Sequence, residues 1–113
     1  MQGMKILEIL INDSITSNNM FVAVVEIELK KGTEDEFKKW IGESNKELSK
    51  FDGFVNRRLL QSRAGKHVIL VEFESLEKFE KMHQSEEHHK MQSKGHSMME
   101  TPPKPMFYNV VSN

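Results

Sequence analysis

Between Met20 and Leu29 apolar and polar positions alternate: Val25, Ile27 and Leu29 are separated by Glu26 and Glu28, the period of a strand with one buried face. Lys30-Lys31-Gly32 ends it. The period then changes. Phe37, Trp40, Ile41, Ser44, Leu48 and Phe51 recur three and four apart, a stripe along one side of a helix whose other side carries Glu34, Lys38, Lys39, Glu43, Lys46 and Glu47. Thr33 and Glu36 have capping-box spacing, with the threonine hydroxyl accepting from the Glu36 N–H and the carboxylate reaching back. Asp52-Gly53 stops the segment. GFVNRRLLQS reads as a second strand, SRAGK as a turn around Gly65, and HVILVEF as a third strand, so the pair should form a hairpin. Ser75 caps a helix holding Leu76, Phe79 and Met82. Ser85 caps its continuation, which opens on Glu86 and Glu87, carboxylates suited to a helix N-terminus. Gly95 is expected to end that helix, TPPKP to connect, and MFYNVV to return as a last strand.

The order β-α-β-β-α-β predicts an α+β, ferredoxin-like fold: a four-stranded antiparallel sheet with its helices on one face. The other face, expected to carry Phe21, Val24 or their neighbours, is left uncovered. A second subunit would cover it, making a homodimer, a dimeric α+β barrel. Residues 4–11, MKILEILI, precede the polar breaker NDSITSNN. Residues 1–19 are therefore read as an N-terminal appendage and 20–113 as the domain.

A chain of 113 residues suits one domain with a real core. With 16 basic and 17 acidic residues its formal charge is −1, and no predicted face gathers a basic stripe, which argues against nucleic acid. Cysteine is absent, which removes thiolate catalysis, disulfides, zinc ribbons and iron–sulfur ligation, and fits a reducing compartment. Glu8 splits the apolar start and no small-residue cleavage site follows, so a signal peptide is not expected. No segment approaches the roughly 20 apolar residues of a membrane span. A cytoplasmic protein without membrane or nucleic-acid partners is the expectation.

The stretch HQSEEHHKMQSKGHSMM, residues 83–99, holds four of the five histidines and three of the eight methionines. A helical metal site needs paired ligands on one face, three or four residues apart. Four ahead of His83, His88 and His89 stand Glu87, Gln92 and Ser93, an incomplete set, so neither metal nor cofactor is expected. His89 and His96 are read as solvent-facing. His88 shares a face with Met91, Gln92 and Gly95 that should look into the cleft between helix and sheet, and His83 would reach the same space from the other side. Two readings stand for this pair: packing or helix-end hydrogen bonding, and proton acceptance from an acidic phenol or enol by a neutral imidazole. Met82, Met91, Met98 and Met99 read first as adaptable packing and second as a pocket wall. Trp40 is explained by burial. Asn56 and Arg58 share a strand face with Phe54 and Leu60: inward, Arg58 would receive an anionic substrate; outward, the commoner case, both are solvated.

From Met20 to Val111 the sequence resembles the antibiotic biosynthesis monooxygenase family of dimeric α+β barrels. The resemblance is carried by FVAVVEIELKKGTEDEF, by FDGFVNRRLLQS, and by VEFESLEKFEKMHQSEEHH, with His83, Ser85, His88 and His89 at matching positions. It implies one of several activities: cofactor-independent oxygenation of quinol-like aromatics, haem degradation, isomerase-like chemistry, or none. For the haem-degrading branch it implies an Asn, a Trp and a proximal His where this chain has Val25, Phe73 and Gln92. Valine cannot hydrogen-bond a ligand, and glutamine is a poor iron ligand beside imidazole. The expectation is a cofactor-independent monooxygenase of a small aromatic, with His88 and His83 as catalytic groups and Arg58, Asn56, Phe73, Met91 and Gln92 meeting the substrate. The alternative is a non-catalytic ligand-binding or interaction domain.

Overall fold

The computed structural model of the chain describes residues 19–113. Its elements are β1 (Phe21–Ile27), α1 (Glu34–Leu48), β2 (Phe54–Gln61), β3 (His67–Phe73), α2 (Leu76–His83), α3 (Glu86–Ser97) and β4 (Lys104–Asn109). The sheet order is β2-β3-β1-β4 with every pairing antiparallel, the ferredoxin-like α+β arrangement, its second helix divided in two. The expected appendage lies outside the described residues apart from Asn19. Among the described residues no helix is long and apolar enough to cross a membrane.

The pairings fix what faces the helices. Phe21 pairs with Phe73, Ala23 with Val71 and Phe107, and Val25 with Ile69 and Pro105, so these residues make the inward face. Phe21 therefore lies under the helices rather than on the open side, where Val22 and Val24 stand instead, half-buried. Pro105 is tolerated because β4 is an edge strand. Onto this face α1 lays Phe37, Trp40, Ile41, Ser44 and Leu48, and α2 lays Leu76, Phe79 and Met82. Phe79 is the hub, with ring centroids 4.9 Å from Phe21 and 5.6 Å from Phe73. Phe21, Phe37, Phe73 and Leu48 are fully buried, each removing from water a side chain whose burial contributes about 1.5–3 kcal/mol.

Three local devices differ from expectation. Thr33 makes no capping box: its hydroxyl donates to the Lys30 carbonyl at 2.7 Å and reaches the Met98 carbonyl at 3.4 Å, and α1 starts on the acidic turn Glu34, Asp35, Glu36 alone. The hydroxyl is drawn away because the chain after β1 runs beside the end of α3, with Leu29 bridged to Met99. Gly95 does not end α3, which continues to Ser97 with Gly95 buried inside it. A Cβ at Gly95 would stand 2.5 Å from Cη2 of Trp40, so the glycine serves close approach of α3 to α1.

The third device is in β2. Phe54 pairs with Phe73 and Asn56 with Glu72, and the shift between them turns the strand so that Arg57, opposite Val71, enters the inward face. Arg58 faces outward and is exposed.

Replacing Gly95 by Ala should destabilise the protein by about 1–3 kcal/mol, the usual range for overpacking, although alanine is the better helix former. Chemical denaturation followed by Trp40 fluorescence measures it; an unchanged or raised midpoint would contradict the close approach.

Candidate active site

Between the inward sheet face and the helices lies a cavity of about 300 Å³. Ala23, Val25, Ile69, Val71 and Phe107 form its floor, Trp40 and Leu48 of α1 and Phe79 and Met82 of α2 its walls, and Met99, Pro103 and Pro105 its rim. Its polar groups are few: Arg57, His83, His88, Gln92 and His96. This apolar lining with a handful of convergent polar atoms is the make-up of a small-ligand site.

The histidines reach it through two consecutive caps. Ser75 Oγ accepts from the Lys78 N–H at 3.2 Å and starts α2, which ends at His83. Ser85 Oγ accepts from the His88 N–H at 3.1 Å and starts α3, placing His88 third in that helix. The break brings the two rings to 5.1 Å between centroids, with His83 stacked on Phe79 at 5.6 Å. Nδ1 of His88 is buried and has no hydrogen-bond partner among the described residues. Burial, then the neighbouring His83, His89 and Arg57, lowers its pKa to about 4, and burial lowers that of His83 too. Both rings are neutral at pH 7. His96, largely exposed, turns its ring to the cavity mouth, where its Nε2 accepts from the Gln92 amide at 3.1 Å. His89 is exposed.

Arg57 is the group that the sequence reading missed. It is 7% exposed, and it remains a cation although burial lowers its pKa to about 10. Its Nε donates to Asn45 Oδ1 at 2.6 Å, and its Nη2 to the Ile41 carbonyl at 3.2 Å and to Ser44 Oγ. Its guanidinium lies over the Trp40 ring at 5.0 Å. All three acceptors are neutral, and among the described residues no carboxylate lies within salt-bridge distance.

Of the expected site residues, the cavity gathers His83, His88, Met91 and Gln92. Asn56 lies on the open sheet face, its amide 3.4 Å from Glu72 Oε1, and Arg58 is exposed there too. Phe73 is sealed in the aromatic core, 0% exposed. None of these three lines the cavity, because the irregularity in β2 reverses its phase and Phe73, on the inward face, is packed against Phe54 and Phe79 instead. The signal for Arg57 was the two adjacent arginines, either of which could face inward. Among the described residues no three His, Asp or Glu side chains gather as a metal cluster.

A sequence profile of the family described as antibiotic biosynthesis monooxygenase matches residues 20–94. Curated proteins contain no match to the chain. Among solved structures the fold is similar to that of SnoaB, a cofactor-independent oxygenase from Streptomyces nogalater, with 12% identity over 84% of this chain and 96% of that one at a TM-score of 0.73. It is similar to a Caulobacter crescentus protein proposed as an antibiotic biosynthesis monooxygenase, with 14% identity, coverages of 89% and 98%, and a TM-score of 0.75. A conserved protein from Methanosarcina mazei Go1 matches with 13% identity, coverages of 80% and 92%, and a TM-score of 0.72.

The lowered pKa of His88 sets a pH dependence. The unfolded chain takes up the proton near pH 6.5 while the folded chain resists until about pH 4, so stability contributed by neutral His88 is full above pH 6.5 and falls as pH drops towards 4. Allowing for the solvent that reaches the ring, the loss should be on the order of 2 kcal/mol. Urea denaturation at pH 7 and pH 4.5 should show a smaller drop for His88→Gln than for the unmodified protein; equal drops would refute the burial argument.

Proposed function

The chain belongs to the antibiotic biosynthesis monooxygenase family, and from that premise we propose that it is a cofactor-independent monooxygenase of a small phenol or quinol. The observation that carries the reading is that the half-buried rings of His83 and His88 line an apolar cavity. A neutral imidazole beside a ligand site is a proton acceptor for an acidic hydroxyl. In the proposed reaction a phenol gives its proton to His88, with His83 beside it, and the electron-rich phenolate passes an electron to O₂. The radical pair joins at a ring carbon that bears hydrogen. The resulting hydroperoxide loses that hydrogen and, with the proton returned from His88, water. One oxygen atom ends in a new carbonyl and the other in water, so phenol plus O₂ balances quinone plus H₂O. The dry walls keep the charged intermediates from water.

Burial that keeps His88 unprotonated also makes it a weak base until negative charge develops beside it. That low basicity favours a second reading, a ligand-binding domain of the same fold without turnover. Oxygen uptake separates the two. With a reactive phenol or quinol, His88→Ala should lower the rate by about 10²-fold or more while leaving the fold intact, the range of a general base, and His89→Ala should leave it unchanged. Binding without oxygen uptake across a panel of phenols would favour the second reading.

The open sheet face supports a homodimer, in keeping with a cytoplasmic enzyme of this kind. Met106 is 58% and Tyr108 45% exposed, next to half-buried Val22, Val24 and Leu70, a contiguous apolar patch of the kind partners cover. Sedimentation at micromolar concentration should give two chains per particle, and Met106→Glu with Tyr108→Glu should give one. A monomeric unmodified protein would exclude the dimer.

A further inference from the structure

Arg57 is more deeply buried than any other charged side chain of the described residues, yet none of the described carboxylates lies within salt-bridge distance of it. Its hydrogen bonds use Nε and Nη2, and they leave the Nη1 hydrogens without a protein acceptor among the described residues. A buried cation satisfied only by neutral groups is costly compared with one that meets an anion. Here the space beside it is the cavity, and two further features of that space bear on what could fill it. Its walls are aromatic and methionine side chains, which suit a flat ring. Its volume, about 300 Å³, is at the small end for ligand sites, enough for one or two rings.

Other features carry less. The groove around Glu34 and His67 closes on itself through their 3.1 Å contact and offers open, mixed charge. The apolar sheet face belongs to the dimer already proposed.

We propose that the cavity takes an aromatic carboxylate as a monoanion, its carboxylate held by Arg57 Nη1 and its ring lying between Met91, Met99 and Phe107. The free Nη1 hydrogens offer a carboxylate charge-assisted hydrogen bonds, and a single buried cation matches a single negative charge rather than the dianion of a phosphate monoester. The carboxylate is charged before any chemistry starts and is unchanged by it, so it serves for recognition. A ring hydroxyl is left for His88. This inference rests on the proposed phenol oxygenation only for that last contact; the charge preference stands on Arg57 and the cavity.

Trp40, the sole tryptophan, lies in the cavity wall against Arg57 and so reports binding by its own fluorescence. Titrations with 4-hydroxybenzoate, 4-hydroxybenzamide, benzoate and benzamide compare charged and neutral ligands of nearly the same shape in the unmodified protein. Each acid should bind at least about tenfold tighter than its amide, the size of one charge-assisted hydrogen-bonded contact. Arg57→Lys should keep part of that preference and Arg57→Gln should lose it, with circular dichroism checking that each folds. Equal binding of acid and amide by the unmodified protein, or no binding of either, overturns the proposal whether or not the variants fold. Benzoate preferred over benzamide, without oxygen uptake on any hydroxylated ring, would uphold the anion site and remove the oxygenase reading. Oxygen uptake on neutral phenols with no charge preference would do the reverse.

Discussion

The indole of Trp40 is wedged between two helices and a strand. Its edge meets the backbone of α3 at Gly95, where no side chain could stand; its ring lies 5.1 Å from Phe37 on its own helix; and the guanidinium of Arg57 from β2 sits over it. An aromatic ring cannot be compressed, so the distance between α1 and α3 is set by its size. The cavity begins where that contact ends. Had the helices closed further, their methionines would have met the sheet; had they stood apart, water would have reached the base of the cavity.

Around that wedge the electrostatics divide into two kinds of group. Arg57 keeps its charge because three neutral acceptors hold it without cancelling it, and that charge in turn helps keep His88 neutral. The cavity thus holds one permanent cation and two imidazoles whose basicity burial has lowered, in surroundings where a Coulombic interaction is felt more strongly than in water. On the proposal of an aromatic carboxylate, such a site discriminates by charge before it discriminates by shape.

The period of each segment was enough to find every described strand and helix, the hairpin at Gly65, and the stripe from Phe37 to Leu48, because each records burial on a single face. His88 was legible for the same reason, aided by the Ser85 cap that fixes its place in the helix. What escaped depends on partners distant in the chain. The Thr33 hydroxyl is claimed by Lys30 and Met98, a choice made by the crossing of two segments rather than by the local spacing of Thr33 and Glu36. Gly95 reads as a terminator until the Trp40 ring is placed against it. The phase of β2 escaped because FVNRRLLQ is apolar in both alternations, and a single irregularity at Phe54/Asn56 exchanges Arg58 for Arg57.

The adjacency of those two arginines bears on how the chain reaches this fold. Laid regularly against β3, without its irregularity, β2 would still offer the interior a guanidinium and several apolar side chains, so side-chain character alone separates the two alignments weakly. Asn45 separates them: its carboxamide accepts from Arg57 Nε at 2.6 Å and donates to the Arg57 carbonyl at 3.0 Å, a two-point grip that only one alignment presents. That grip comes from α1. An off-register edge strand is therefore the near-native competitor that folding must reject, and the rejection comes from a helix docking rather than from the strand itself.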